Sequence, residues 1–371
     1  MSSGNPSDFG TFIGPHDAAM VPATDRRHYL ATLRGEEVGR WIEIGVEPLV
    51  LGRGALCTHV IPDPALSKRH CSIVLRDDRV EVVDLGSSNG SYIDGERIRQ
   101  STVLPVASTL LVGNHVFRHE VRDRAEVERE LAQAADLRRA RSYVEALLPP
   151  RRTEGPLRLD WVFMPCATLG GDAFGCQDLP DGRIAFYIID VCGHGAGSAL
   201  HSVAAIHRIR SIAAVGQRTS PAQVLEDLNA AFDMERHAGL YLSIWFGTWN
   251  PATRELAYAS AGHPPPLMLA AAEATRLASG DPPIGIAPET RYRESVIVPE
   301  PNASIVLFSD GAYEIRAAGG HRWEYEDFVR LLGEARDPGR PDPAELRDRI
   351  LRASRSPRLE DDLTILVVTL P

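Results

Sequence analysis

The sequence predicts a multidomain chain: an N-terminal all-β sandwich, a helical connector and a C-terminal α+β domain. Three observations carry that prediction. Residues 29–121 read as short apolar strands broken by Gly and Asp-Gly turns, with no helix-length periodic stretch among them. Residues 122–148 then run without a Gly or a Pro. From Leu157 onward apolar strands alternate with helix-like stretches. At about 150 residues per domain, 371 residues fit two to three domains.

The elements follow in order. Residues 1–25 are rich in Gly, Pro, Ser and Asp and read as a flexible tail. The sandwich occupies 26–121, with strands YLATL, WIEIG, PLVLG, HCSIVL, RVEVVDL, SYIDG, TLLVG and HVFRHEV. The connector, 122–150, is filled with good helix formers and stopped by Pro149-Pro150. Val127, Leu131 and Ala134, then Leu137, Ala140, Val144 and Leu147, form a narrow stripe with a slip between its halves. Two readings stand: a linker that packs on a neighbouring domain, or a short coiled coil that makes a homodimer through 122–148. Residues 151–371 form one domain. Its strands are LDWVFM, IAFYIIDV, YLSIWFGTWN, ELAYASAG, SIVLFSDG and LTILVVTL. Helices are expected around 197–215, 220–234, 325–335 and 342–354. The Asn-Pro-Ala-Thr turn between two strands favours antiparallel pairing.

Composition excludes several classes. The net charge is −10, and one lysine (Lys68) stands against 39 arginines, so nucleic acid is not the expected partner. No apolar run is long enough to span a membrane, and the N-terminus has no secretion signal. Five cysteines without metal-ligand spacing read as free thiols in a reducing, cytoplasmic compartment.

The chemistry gathers at acidic ends of apolar strands. IAFYIIDVCGHG ends on Asp190 and SIVLFSDG on Asp310; Asp361 and Asp362 lead into LTILVVTL; Asp172 follows two glycines in ATLGGDAF. Each alone is an ordinary turn. Together, rigid carboxylates converging on one spot repel unless cations lie between them. An oxygen-only ligand set suits hard ions, Mg²⁺ or Mn²⁺, and two such ions can activate a water for attack on phosphorus.

The segment 147–370 resembles the SpoIIE-type branch of the metal-dependent (PPM) Ser/Thr protein phosphatases. The matching words occur in the family's order: ALLPP, LGGDAF, DVCGHGAGSAL, AGHPPPLML, PPIGI, FSDGAYE and EDDLTILVV. The resemblance implies an αββα fold, with two antiparallel sheets between outer helices and two divalent ions at one end. It implies that Asp190 bridges both ions and is the catalytic residue. Val191 would bind one ion by its carbonyl. Asp310 and Asp361 would complete the other ion's shell, and Asp172 would bind directly or through water. One departure is visible: the family commonly writes GGDxxD, and Gly175 takes the second acidic place. The general-acid position of the wider family falls on Cys192. His194 and His263 read mainly as structural, with proton donation by His194 the alternative.

In the sandwich, LGRG (51–54), LSKRHCSI (66–73) and DLGSSNGSYIDG (84–95) place hydroxyl, amide and guanidinium groups in turns. Arg53 and Ser67 could supply donors to a phosphate, and Asn89 could grip an extended peptide. These words resemble the forkhead-associated (FHA) domain over about 28–121. The resemblance implies phosphothreonine-peptide binding, with Arg53 and Ser67 on the phosphate, Lys68 auxiliary, Ser88 supporting the threonine and Asn89 on the peptide backbone. His70 would stabilise the loop.

The expectation is therefore a metal-dependent phosphoserine/phosphothreonine protein phosphatase, recruited or switched by a phosphothreonine-containing protein. By resemblance the substrate class includes anti-sigma-factor antagonists. The rival reading is a weak or inactive phosphatase acting as a phosphothreonine-dependent adaptor. Gly175 favours it, and the set Asp172, Asp190, Asp310 and Asp361 opposes it.

Overall fold

A computed structural model describes residues 25–35, 38–214, 220–270, 273–278, 280–317, 319–335, 340–356 and 359–371. The tail expected over 1–25 lies outside them except for Asp25. The chain divides into two units, Met1–Ala134 and Ala135–Pro371.

The first unit is all-β. Its strands are β1 (Arg26–Arg34), β2 (Trp41–Ile44), β3 (Leu49–Gly52), β4 (His59–Val60), β5 (Cys71–Arg76), β6 (Arg79–Asp84), β7 (Ser91–Ile93), β8 (Glu96–Arg97), β9 (Thr102–Val103), β10 (Thr109–Val112) and β11 (His115–Asp123). They form two sheets, ordered β2-β1-β11-β10-β7-β8 and β4-β3-β5-β6-β9. Alternating residues turn inward, and Leu30, Leu51, Ile73, Val82, Leu110 and Phe117 fill the space between the sheets. This is the expected sandwich.

Helix α1 (Arg124–Leu147) follows directly. Val127 and Val144 are buried, and every residue between them is exposed or half-buried. Arg124–Glu128 and Arg141–Glu145 pair at one-turn spacing, 2.7 Å each. Such pairs add only about 0.3–0.5 kcal/mol each, so they hold the helix weakly. At its C-terminal end Val144 packs on Leu169 and Ala199, and the Arg210 guanidinium donates to the Leu147 carbonyl at 2.6 Å. No helix among the described residues is long and apolar enough to cross a membrane.

The second unit contains β12 (Arg158–Met164), β13 (Ala173–Asp178), β14 (Ile184–Val191), β15 (Leu242–Asn250), β16 (Glu255–Ala261), β17 (Leu267–Ala270), β18 (Glu273–Arg276), β19 (Ser295–Ile297), β20 (Ser304–Phe308) and β21 (Leu363–Thr369). Its helices are α2 (Ala196–Ala214), α3 (Pro221–Ala231), α4 (Tyr325–Gly333) and α5 (Pro343–Ala353). One sheet runs β13-β14-β15-β16-β19 and the other β12-β21-β20-β17-β18, with every strand pair antiparallel. Strands buried on both faces explain the near-continuous apolar runs. Phe174, Phe186 and Trp245 of the first sheet meet Leu159, Ile305 and Leu366 of the second in the inter-sheet core. Side chains of α2 and α3 pack on the outer face of the first sheet. Those of α4 and α5 cover the second. The four layers, helix-sheet-sheet-helix, are those the sequence predicts.

Helix ends are set by local chemistry. Ser220 caps α3 in a reciprocal box with Gln223, with Pro221 at the first turn. Asp342 caps α5 through the Ala344 amide, again with a proline next.

Candidate functional site

Strand register brings the four predicted carboxylates together. β13 pairs with β14 so that Ala173 faces Ile189, which sets Asp172 beside Asp190 at one end of the first sheet. β20 pairs with β21 so that Phe308 faces Ile365, which sets Asp310 beside Asp361 and Asp362 at one end of the second. The two ends meet. Thr364 on β21 donates its hydroxyl to Asp172 at 2.6 Å, a contact between the sheets. Exposure is graded: Asp172 is buried, Asp190 and Asp310 are half-buried, and Asp361 is exposed. The cluster therefore opens to solvent on the Asp361 side.

Electrostatics report the crowding. Burial, then the charges of Asp310 and Asp361, pushes the Asp190 carboxyl up to about 8. Burial and Asp361 push Asp310 up to about 6. Burial and Asp190 hold Asp172 well above the usual carboxylate range. Asp361 is raised by burial, against which the Asp362 amide and then His194 act. Carboxylates that raise one another in this way share protons or bind cations. The donor set is all oxygen, which fits a hard divalent ion. Val191 follows Asp190 at the strand end, and its carbonyl faces the residue-171 backbone: a Cβ on Gly171 would lie 2.5 Å from it. Glycine there is a requirement of close approach, not of turn type.

Two neighbours behave differently from the sequence-based expectation. Asp362 counts among the converging acids, yet its carboxylate points inward and accepts the amides of Cys166 (2.8 Å), Gly171 (2.6 Å) and Asp172 (3.3 Å). It fastens the Gly-Gly-Asp loop to β21. Gly175 lies on the helix-facing side of β13, opposite Tyr187, and a Cβ would overlap the Tyr187 ring. Phe174 faces the inter-sheet core, as Asp172 does. An acid at 175 would point away from the cluster. Gly175→Asp is expected to destabilise the chain by roughly 3 kcal/mol through overpacking and a buried charge. A denaturant midpoint equal to the parent's would contradict this placement of Tyr187.

The remaining sequence candidates fall as follows. His263 is buried with Nδ1 2.9 Å from the Ser243 hydroxyl, and burial lowers it to about 3, so it is a neutral structural imidazole. His194 is exposed in the loop before α2. Cys192 receives the Tyr241 amide on its sulfur at 3.2 Å. Sequence reasoning missed Glu314, whose charge acts on Asp190, Asp310 and Asp361. It also missed Ser309, whose hydroxyl donates to the Asp362 carbonyl at 3.0 Å and accepts the Thr364 amide. Thr364 was within reach: it shares a strand face with Asp362 at period two.

The first unit has its own site. Four contacts draw three loops to one end of the sandwich: Arg53 amide to Ser67 carbonyl (3.0 Å), Ser88 amide to Ser67 Oγ (3.0 Å), Asn89 Nδ2 to Ala65 carbonyl (2.8 Å) and His70 Nε2 to Gly90 carbonyl (3.2 Å). His70 is fully buried and accepts the Ser67 amide on Nδ1, so its proton sits on Nε2. Asp84 staples the adjoining turn by accepting from Gly86, Ser87 and Ser91. Around this frame Arg53, Lys68, Ser88 and Asn89 are exposed and Ser67 half-exposed.

Comparison with known proteins decides the family. The family model described as Stage II sporulation protein E (SpoIIE) matches residues 180–371, more than half of the chain. The chain belongs to the SpoIIE family. It also carries an FHA domain, matched over residues 49–113. Among curated relatives, the phosphoserine phosphatase RsbU of Bacillus subtilis is 27% identical over 219 residues, 58% of this chain and 64% of that protein. The FHA domain-containing protein FhaB of Mycolicibacterium smegmatis is 31% identical over 102 residues, 27% of this chain and 66% of that protein. The chain thus spans less than two thirds of either relative's length. The SiaA-PP2C domain of Pseudomonas aeruginosa superimposes with a TM-score of 0.56 at 23% identity, covering 65% of this chain and 98% of that one. The PP2C phosphatase domain of SpoIIE from Bacillus subtilis gives 0.51 at 18% identity, covering 58% and 61%. These two likenesses show that the second unit of this SpoIIE-family chain has the PP2C fold.

Proposed function

We propose that the chain is a divalent-metal-dependent phosphoserine/phosphothreonine protein phosphatase, recruited or regulated by its FHA domain through a phosphothreonine-containing protein. The observation that carries this reading is the convergence of Asp172, Asp190, Asp310 and Asp361 from two sheets onto one cluster whose carboxyls are raised by burial and by one another. Asp190 would hold both of two divalent ions, Mn²⁺ or Mg²⁺, and the Val191 carbonyl one of them; Asp310 and Asp361 would hold the other, and Asp172 would add a direct or water-mediated contact. Bound divalent ions supply an activated water and stabilise charge on the phosphoryl group. The protein's part is to hold those oxygens rigidly. Asp362 pins the Asp172 loop, Thr364 orients Asp172, and Ser309 ties the Asp310 turn to β21. His194, exposed in the loop before α2, would be the alternative proton donor to the leaving seryl or threonyl oxygen. Phosphate release from a phosphoserine peptide by the full chain with Mn²⁺, lost on chelation, tests this reading. No release with metal present favours the adaptor instead.

In the FHA domain, Arg53 and Ser67 would hold the phosphate, Lys68 would assist, Ser88 would support the threonine and Asn89 the peptide backbone. Arg53 and Lys68 are exposed, and neither has an ion-pair partner among the described residues, as a waiting anion site requires. Calorimetry with a phosphothreonine peptide should show Arg53→Ala weakening binding by about tenfold or more, the worth of a charge-assisted hydrogen bond. Equal binding of the unphosphorylated peptide would refute it. The likeness to RsbU and RsbP of Bacillus subtilis, both named phosphoserine phosphatases, supports a phosphoserine protein as substrate; the family resemblance points to an anti-sigma-factor antagonist within that class.

A further inference from the structure

Beyond the carboxylates, a short hairpin follows the Asp310 turn. Its backbone closes through Trp323 amide to Ile315 carbonyl (2.9 Å) and Ala317 amide to His321 carbonyl (2.9 Å). Arg316 and Arg322 stand directly opposite each other in this antiparallel pairing. Cross-strand partners project to the same face, so two guanidiniums share it. Like charges directly opposite destabilise a hairpin. This one offsets the cost with two glutamates at the mouth of the cluster. Arg322 pairs with Glu314, whose charge acts on Asp190, Asp310 and Asp361. Arg316 pairs with Glu360, the residue before Asp361, at 3.3 Å. Both arginine side chains remain about two-thirds exposed, 70% and 64%.

Stability does not explain the arrangement, because exposed ion pairs are worth about 0–1 kcal/mol. The same small figure makes the pairs exchangeable: either guanidinium can trade its glutamate for a carboxylate that arrives from outside. Each arginine stands one glutamate away from the cluster. A phosphoryl group seated among the aspartates would therefore leave both for the residues around it. We propose that Arg316 and Arg322 are specificity-determining residues that select phosphoprotein substrates with acidic residues flanking the phosphorylated serine or threonine. This deepens the phosphatase reading and rests on it.

The test compares two phosphoserine peptides, one with acidic and one with basic flanks, on the full chain with Mn²⁺. The parent should favour the acidic peptide about threefold in kcat/KM, through KM, because each exchanged pair nets only a fraction of the roughly 0–1 kcal/mol that an exposed ion pair is worth. The Arg316→Ala, Arg322→Ala double variant should bring that preference to near unity, and the corresponding double change to Glu should invert it. A parent without preference overturns the clamp. So does a double variant that loses both peptides in equal proportion, because its preference is then intact and the arginines are merely structural. A parent that turns over neither peptide fails the phosphatase reading itself, a distinguishable result.

Discussion

Asp190→Asn is expected to lower phosphopeptide turnover about a thousandfold or more, a loss of roughly 4 kcal/mol of transition-state stabilisation. The side chain keeps its size, and the strand register from Asp190 to Ser243 does not depend on its charge. What changes is the anion proposed to bridge two ions. Without metal the substitution should be harmless to the fold, since a half-buried carboxylate among four other acids costs the folded state more than an amide does. The metal-free variant should therefore unfold no earlier than the metal-free parent. Initial rates of phosphate release, with circular dichroism as the folding control, check both halves. A variant within tenfold of the parent's rate would remove Asp190 from the centre of the mechanism.

The second large effect separates two adjacent aspartates. Asp362→Ala leaves the amides of Cys166, Gly171 and Asp172 without their charged acceptor inside the protein. Hydrogen bonds to charged groups contribute about 1.5–3 kcal/mol each, and removing a carboxylate from an acidic cluster returns part of that. The net expectation with Mn²⁺ present is a loss of roughly 3 kcal/mol, together with most of the activity, because the Asp172 loop is no longer fastened. Asp361→Ala, one residue earlier, removes an exposed side chain that accepts the Asp362 amide at 2.8 Å. Its stability should change by less than about 1 kcal/mol while Mn²⁺ affinity falls. Urea unfolding of both variants decides it; equal midpoints would contradict the division of roles.

Much of this was legible in the sequence. Asp190, Asp310 and the Asp361-Asp362 pair stand out because each lies at the end of an apolar strand; the alternation of strands with helices shows an α+β domain, and the order of its layers comes from the family resemblance. Less legible was anything set by pairing between distant segments. β4, β8 and β9 are two residues long and have no alternation to read. β13 (AFGCQD) mixes Gly and polar residues because one face opposes Tyr187. Nothing local distinguishes Asp361 from Asp362; only the fold shows that one faces the mouth and the other faces three amides. Glu314 looks like an ordinary acid four residues past Asp310, and its role depends on where the hairpin after it returns. In the sequence the acidic place missing at Gly175 favours a weakened site, yet the strand's pleat turns that position to the helix layer. The net charge of −10 argues against a nucleic-acid partner, and five of its acids, Asp172, Asp190, Asp310, Asp361 and Asp362, lie at the proposed site.

The central claim is that this cluster holds two divalent ions. Calorimetric titration of Mn²⁺ into the chelator-treated full chain tests it most directly. The account predicts two ions per chain in the parent and fewer, more weakly held, in Asp190→Asn. Absence of binding in the parent, or the same stoichiometry and affinity in the variant, would contradict it.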